Sequence, residues 1–194
     1  MSRPASDLSF QANSTILVRM PPLDPRDPGA LDRPVVRARY CAHLLDLLTD
    51  EGFGSEALLA GTGLERHDLA GQDARISYAQ QFRIYENALD LTREPGLGFR
   101  LARRQRINDH GVFGYAIQSS ADLAQAIRVT ERYVVTAGPL LDTTFAVVGE
   151  SAAIILEEVA PLGPIARMAR EENLLVLSHN LLSLTDPVTR PLEV

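Results

Sequence analysis

The sequence of 194 residues has no lysine, no tryptophan and one cysteine, Cys41. All 19 basic residues are therefore arginine, which excludes Schiff-base chemistry and any phosphate loop that depends on lysine. A single cysteine cannot form a disulfide within the chain, as is typical of proteins from reducing compartments. No apolar run approaches the roughly 18 residues needed to cross a bilayer. We therefore expect a cytoplasmic protein without a membrane partner.

The composition is that of a folded, acidic protein. Apolar residues make up 45% of the chain, which is enough for a hydrophobic core in one domain of ordinary size. The net charge of −6 makes the chain a poor stand-alone partner for nucleic acid, because non-specific affinity comes mainly from neutralising phosphates. DNA binding through another domain stays compatible with this charge.

Proline divides the chain into two parts. The segment 1–34 contains "MPPLDPRDPGALDRP", which cannot form regular structure, and is predicted to be a flexible leader. Only Ser14–Met20 in it could pair as a short strand. The segment 35–194 is predicted to be one domain. Its last residues, "RPLEV", have the pattern of a strand that has only begun, so we expect the domain to be truncated at its carboxyl end.

Helical periodicity dominates the first part of the domain. Apolar residues recur from Val36 to Leu48 at the spacing of one buried helix face. The motif "SYAQ" at Ser77–Gln80 is a capping box that opens a helix through Arg93. A short helix is predicted after a cap at Ser55, and another helix over about Ala121–Ala137 after a cap at Ser120. A long helix is predicted over residues 165–184.

The periodicity changes from 3.6 to 2 between these helices. The runs "LLDTTFAVV" and "AAIILEE" flank "GES", which predicts a β-hairpin. The fold class is therefore predicted as α+β and helix-rich, with a helical cluster packed against a small antiparallel sheet whose hairpin lies near residues 140–158.

Two glycines lie three residues apart in "DHGVFGYAIQSS", a segment with helical flanks. Glycine inside a helix costs roughly 1 kcal/mol relative to alanine, so each glycine needs a reason. We expect Gly111 and Gly114 to share one helix face on which another backbone approaches closely. Asp109 is the predicted cap of this helix.

The sequence offers no constellation for catalysis, a metal or a cofactor, so we expect none of the three. The histidines lack metal-ligand spacing, and the adjacent pair Glu171–Glu172 points apart on a helix. The cluster Arg100–Arg106 has three interpretations: an anion site, a contact with DNA or a partner domain, and a solvated helix face. If an effector pocket exists, we expect it between the helices and the hairpin, with Arg100, Tyr115 and Tyr133 as candidate binding residues.

Two long stretches resemble a known family. They are "GSEALLAGTGLERHDLAGQDARISYAQQFRIYENALDLTREPGLGFRLA" and "HGVFGYAIQSSADLAQAIRVTERYV". Their turns, helix breaks and the pair Arg132–Tyr133 resemble the amino-terminal sensor and dimerisation domain, called arabinose-binding-like, of a subgroup of AraC/XylS-type bacterial transcription regulators. The resemblance covers about Val35 to Val194. It carries over no ligand residue.

The resemblance implies a regulatory role. Such domains precede a DNA-binding domain with two helix-turn-helix units and control it by binding a small effector or by forming a homodimer. The expected DNA-binding part is absent from this sequence, so DNA contact would come only through that missing domain. Two alternatives stay open: a pure dimerisation module without a ligand, and a small enzyme with a dispersed site.

Overall fold

The computed structural model of the chain describes Asp27, residues 29–148 and residues 151–184. The strands predicted at Ser14–Met20 and "RPLEV" lie outside these residues. The α-helices of the described part are α1 Ala38–Thr49, α2 Ser55–Leu59, α3 Tyr78–Thr92, α4 Leu97–Arg104, α5 Val112–Gln118, α6 Leu123–Tyr133 and α7 Ala166–Leu184. The strands are β1 Val36–Arg37, β2 Arg75–Ile76, β3 Leu141–Val148 and β4 Ser151–Glu158. Short 3₁₀ turns lie at Arg66–Leu69, Ile107–His110, Val134–Ala137 and Gly163–Ile165. None of the described helices is both long and apolar enough to cross a bilayer.

The predicted fold class is confirmed. The helices form the body of the domain, and β3 and β4 pair as an antiparallel hairpin from Leu141↔Glu158 to Val148↔Ser151. A second antiparallel ladder joins β1 to β2 through Val36↔Ile76 and was not predicted. Each of its strands has two residues, which is too short for an alternating pattern to be seen in the sequence.

The main core gathers around α1 and α3. The apolar face predicted for α1 is confirmed, with Cys41 and Leu44 fully buried in it. On α3 the buried face includes Gln81, Ile84 and Tyr85, whereas Phe82 is only partly buried. Gln81 is therefore a buried polar side chain in an otherwise apolar helix face.

Helix α4 crosses α7 at a glycine. A Cβ atom on Gly98 would overlap the backbone carbonyl oxygen of Met168 and would lie 2.8 Å from the Cβ of Glu171. The missing side chain therefore lets the two helix backbones approach closely. This close crossing brings Gln105, which follows α4, within hydrogen-bond distance of α7.

The predicted cap at Ser77 is confirmed, and those at Ser55 and Ser120 are wrong. At α3 the Ser77 hydroxyl accepts the Gln80 amide at 3.1 Å, and the Gln80 side-chain oxygen accepts the Ser77 amide at 2.9 Å. Ser55 is not a cap, because it is the first helical residue and Gly54 precedes the helix. Ser120 is not a cap either, because the Asp122 carboxylate accepts the Gln125 amide at 2.7 Å and α6 begins one residue after it.

The stretch "DHGVFGYAIQSS" departs from its prediction at two positions. Gly111 lies before α5 with φ +65°, a conformation that favours glycine, so it shares no helix face with Gly114. Asp109 does not cap α5, because its carboxylate accepts the Arg106 amide at 2.6 Å. Gly114 does provide the close approach that was predicted, since a Cβ atom there would overlap the Ile107 carbonyl oxygen.

The described end of the proline-rich segment contacts the domain. Ala30 is buried, and the Leu31 carbonyl oxygen accepts the Ala79 amide at 3.0 Å. The division into a leader over residues 1–34 and a domain over residues 35–194 stays a prediction.

Candidate functional site

A cavity of about 90 Å³ opens between the helices and the β3–β4 hairpin. Its wall combines side chains from α5 and α6 with side chains from β3 and from α7 between Glu172 and Leu184. The apolar lining residues are Phe113, Ile117, Ala126, Ile127, Val134, Ala137, Pro139, Leu140, Phe145, Val176, Leu177, Leu181 and Leu184. The polar or titratable lining residues are Tyr40, Gln81, Gln105, His110, Thr130, Thr143, Glu172, Asn173 and Asn180. A mostly apolar cavity with a few polar groups is the usual form of a small-molecule site.

The cavity is bordered by a second, smaller hydrophobic cluster. This cluster is formed by Phe113 and Ile117 of α5 with Ala126 of α6. It is distinct from the main core around α1 and α3. The cavity therefore separates a large packed body from a small helical pair.

A buried carboxylate stands in the cavity wall. Glu172 is 6% exposed, and its two oxygens accept hydrogen bonds from the Tyr85 hydroxyl at 2.8 Å and from the Gln105 side-chain amide at 2.5 Å. Burial raises the pKa of Glu172 to about 7, although both hydrogen bonds act to lower it. A carboxyl group with this pKa changes its charge near neutral pH.

The side-chain oxygen of Gln81 is a second buried acceptor in the wall. Gln81 is 2% exposed, and its Oε1 atom has no hydrogen-bond partner among the described residues. Gln81 was not recognised from the sequence. Its helical spacing from Tyr78, Ile84 and Tyr85, which are buried on α3, could have identified it. A buried acceptor without a partner destabilises a fold unless something donates to it.

Tyr40 and His110 form a third polar group at the cavity. The Tyr40 hydroxyl lies 2.7 Å from Nδ1 of His110. Burial lowers the pKa of His110 to about 4, an effect that Arg37 reinforces and Asp109 opposes. The imidazole is therefore neutral at physiological pH, and the pair adds no positive charge to the cavity.

None of the three candidate residues named from the sequence lines this cavity. Arg100 forms ion pairs with Glu94 and Glu51. Tyr115 is 56% exposed and Tyr133 is 43% exposed. Their role in effector binding stays a prediction. The cavity itself lies at the predicted junction of helices and hairpin.

The arginine cluster around α4 is partly balanced by acids from this chain. Besides the two partners of Arg100, Asp50 lies 2.8 Å from Arg104. Two of these acids, Asp50 and Glu51, directly follow the last residue of α1. These pairs favour the interpretation of α4 as a solvated helix face.

The described residues do not form a metal site. No three histidine, cysteine, aspartate or glutamate side chains in that part of the chain are grouped to hold an ion. Cys41 is fully buried, and burial raises the pKa of its thiol, which makes it inert. The cavity is therefore better suited to holding a molecule than to activating a nucleophile.

Comparison with known proteins places these features in a family. A family model described as the arabinose-binding domain of AraC transcription regulator, N-term, matches residues 52–194. The chain is 29% identical over 137 residues to an ornithine utilization regulator from Pseudomonas aeruginosa, which covers 71% of this chain and 40% of that protein. It is also 26% identical over 107 residues to HTH-type transcriptional regulators from Mycobacterium bovis and Mycobacterium tuberculosis, covering 55% of this chain and 30% of each relative.

The chain spans less than half the length of these curated relatives, since the larger share is 40%. The family match, in contrast, runs over most of the chain. It includes every residue that lines the cavity except Tyr40 of α1. The chain therefore belongs to the AraC family of transcription regulators, whose amino-terminal arabinose-binding domain it matches over residues 52–194.

Proposed function

We propose that this domain binds a small-molecule effector in its cavity and thereby controls DNA binding by the helix-turn-helix domain of a cytoplasmic regulator. The observation that carries the proposal is the mostly apolar cavity with buried polar groups in its wall. Membership of a family of transcription regulators supports the same role. The matched domain takes its family name from arabinose, but the cavity is too apolar to favour a sugar, which needs many hydrogen bonds.

Helix α7 is the proposed link between effector and DNA binding. Its carboxyl-terminal half supplies Val176, Asn180 and Leu184 to the cavity wall. It is also the last described element of the chain, so it is the one nearest in sequence to the DNA-binding domain that we propose. An effector that binds better to one position of α7 would shift the equilibrium towards that position, and the affinity for DNA would change by linkage.

A small enzyme is the less favoured alternative. Such a site would need a polar cluster with shifted pKa values, and Glu172 meets part of that requirement. Its hydrogen-bond partners Tyr85 and Gln105 act only as donors to the carboxylate, and no activated nucleophile accompanies them among the described lining residues. The family to which the chain belongs consists of transcription regulators, which also disfavours catalysis. We therefore propose that the chain is not an enzyme.

Dimerisation is the second function that we propose, and a specific surface favours it. Val112 is 82% exposed and Tyr115 is 56% exposed, one turn apart on α5. Two exposed apolar side chains on one short helix are an anchor of the kind found in interfaces. Sedimentation of wild type and Val112→Asp will test it: a dimer that the variant weakens supports the proposal, and a monomeric wild type contradicts it.

A thermal-shift screen tests effector binding. Amino acids, sugars and fatty acids are screened against the wild type and against Ala126→Phe, which fills the cavity from α6. A true effector raises the melting temperature of the wild type, because it binds only the native state, and fails to raise that of the variant. No stabilising compound in a broad panel would leave dimerisation as the function. Sequencing the gene beyond codon 194 tests the regulator assignment, since the proposal requires a downstream helix-turn-helix region.

A further inference from the structure

The polar side chains at one end of the cavity form a continuous buried network. Tyr85 and Gln105 both donate to the carboxylate of Glu172, at 2.8 Å and 2.5 Å. Gln81 lies one helical turn before Tyr85 on α3 and interacts with its hydroxyl. All four side chains are at most 9% exposed, and three of them, Gln81, Gln105 and Glu172, line the cavity.

This network contains two acceptor sites that its own hydrogen bonds leave unfilled. The Tyr85 hydroxyl and the Gln105 side-chain amide each donate a hydrogen bond to Glu172. A carboxylate has about four lone-pair sites, so two donors leave capacity for a third partner. The Gln81 Oε1 atom accepts no hydrogen bond from the described residues although it is buried. The occupant that completes the network must therefore bring hydrogen-bond donors.

The charge of the cavity points in the same direction. None of its lining residues is an arginine, and His110 is neutral at physiological pH. The arginines of α7 are engaged elsewhere: Arg167 lies 2.7 Å from Glu171, and Arg170 pairs with Glu158. The carboxyl of Glu172 is the group in the wall that can carry a charge at neutral pH, and a buried anion is stabilised by a cation at hydrogen-bond distance.

Two further polar groups of the wall, Thr130 and Asn173, are engaged by carbonyl oxygens of their own helices. The Thr130 hydroxyl donates to the Ala126 carbonyl oxygen at 2.9 Å, and the Asn173 amide donates to the Ala169 carbonyl oxygen at 3.0 Å. Both contacts are within a single helix. Beyond the network the cavity is lined mainly by apolar side chains such as Phe113 and Ile127.

From this arrangement we infer that the effector is a small amine, whose ammonium group donates to Glu172 and Gln81 while its apolar body lies against α5 and α6. This inference rests on the proposed function and names the chemical class of its ligand. Glu172 then acts as the counter-charge, and Gln81 orients the ammonium group. Carboxylic acids are excluded from the same place by repulsion from Glu172.

A set of three probes of equal length tests the ligand class. Pentylamine, pentan-1-ol and pentanoate are titrated into the wild type at pH 8 by calorimetry. We expect pentylamine to bind at least tenfold more tightly than pentan-1-ol, and pentanoate to bind least. Equal or tighter binding of the alcohol or the acid would overturn the amine assignment and leave effector sensing intact.

Substitutions locate the counter-charge. Glu172→Gln keeps the shape of the side chain and should lose the tenfold preference for amine over alcohol. The matched control is Glu171→Gln, because Glu171 is its neighbour on α7 and is also buried but pairs with Arg167 outside the cavity. If Glu172→Gln does not fold, Gln81→Met decides the question, since it removes an acceptor and should weaken pentylamine severalfold with little effect on pentan-1-ol.

The pH dependence of pentylamine binding gives an independent readout. Amine binding requires an ionised Glu172, so its affinity should rise severalfold from pH 6 to pH 8. The groups that act on the pKa of Glu172 are Gln105 after α4, Tyr85 from α3 and His43 from α1. Glu172 in turn raises the pKa of Tyr40 and Cys41, which face it from α1.

In Glu172→Gln the affinity for pentylamine should be constant over this range. A wild-type profile as flat as that of the variant contradicts the inference, as does the absence of pentylamine binding. If other compounds in the broad panel bind, only the amine assignment falls; if nothing binds, the sensing function falls with it.

Discussion

Gly114 of α5 packs directly against the backbone carbonyl oxygen of Ile107, with no space between them for a side chain. The neighbouring atom belongs to the backbone of the 3₁₀ turn before the helix, so it cannot rotate away as a flexible side chain would. We expect Gly114→Ala to destabilise the domain by more than about 2 kcal/mol, because it overpacks a rigid contact. Gly114→Leu should be worse. Urea denaturation followed by circular dichroism measures the loss.

Gly54 provides the matched control for this substitution. It has an ordinary φ of −69°, and a Cβ atom there would meet nothing within 4 Å. Gly54→Ala should therefore change the free energy of unfolding by less than about 1 kcal/mol. If Gly114→Ala and Gly54→Ala unfold at the same urea concentration, the close contact contributes nothing to stability. A stable Gly114→Leu variant that no longer responds to an effector would assign this segment to sensing instead.

Asp109 connects α1 to the turn before α5. One carboxylate oxygen lies 2.9 Å from Nε2 of His43, the other lies 3.3 Å from Nε of Arg39, and the Arg106 amide donates to the group at 2.6 Å. Burial acts to raise the pKa of Asp109, but the interactions with these three residues outweigh it and lower the pKa to about 2. We expect Asp109→Asn to cost about 1–3 kcal/mol at pH 7.

The control for Asp109 is a surface ion pair. Asp50 lies 2.8 Å from Arg104, and its side chain is 64% exposed. Asp50→Asn should cost at most about 1 kcal/mol. The stabilisation by Asp109 should also disappear as the pH falls from about 4 towards 2, because its folded-state pKa lies below the ordinary value of 3.8. Equal stability losses in the two variants at pH 7 would contradict the connecting role.

The two hydrophobic clusters should differ in local stability. Helices α1 and α3 lie in the main core, whereas Phe113 and Ile117 of α5 pack with Ala126 of α6 in the small cluster beside the cavity. Few buried apolar contacts favour local opening. In hydrogen exchange followed by mass spectrometry, amides of α5 and α6 should exchange faster than those of α1 and α3. Equal protection of all four helices would show that the domain opens only as a whole.

The elements of the fold were predictable where one local signal decides them. The capping box at Ser77–Gln80 and the alternation around "GES" both act within a few residues, and both predictions are confirmed. The cap at Ser55 was wrong because Ser55 is itself the first residue of α2. The cap at Ser120 was wrong because its hydroxyl donates to the Ala116 carbonyl oxygen, while the Asp122 carboxylate accepts the Gln125 amide of α6. The β1–β2 ladder joins residues about 40 positions apart, a pairing that no local pattern shows.

The place of the cavity was predictable from the sequence, whereas the residues that line it were not. The junction of helices and hairpin follows from the order of the elements, and the cavity lies there. Arg100 was a candidate as a member of the basic cluster, but its charge is matched by Glu94 and by Glu51, and the second of these lies 49 residues away in sequence. From the sequence, Glu172 was only one of an adjacent pair of carboxylates that point apart on a helix, because only the crossing of α4 and α7 shows that it is buried.

The last prediction concerns two buried groups at the cavity whose effects on stability have opposite signs. Glu172 keeps its proton in the folded state up to a pKa of about 7, whereas its ordinary value is 4.5. Its contribution to stability is therefore present below pH 4.5 and is lost as the pH rises to 7. His110 has a folded-state pKa of about 4 instead of 6.5, so its contribution is present above pH 6.5 and is lost as the pH falls to 4.

Between pH 4.5 and 6.5 the two contributions, each about 3 kcal/mol over its full range, nearly cancel in the wild type. Glu172→Gln removes the falling contribution and should expose the rising one from His110. We expect the unfolding free energy of the variant, relative to that of the wild type, to increase by about 2–3 kcal/mol from pH 4.5 to 6.5. Urea titrations at half-unit pH steps measure this difference, in which all other titrating groups cancel. Parallel curves for the two proteins would contradict this prediction. Glu172 would then titrate in the folded state as an exposed carboxylate does, despite its burial against Tyr85 and Gln105.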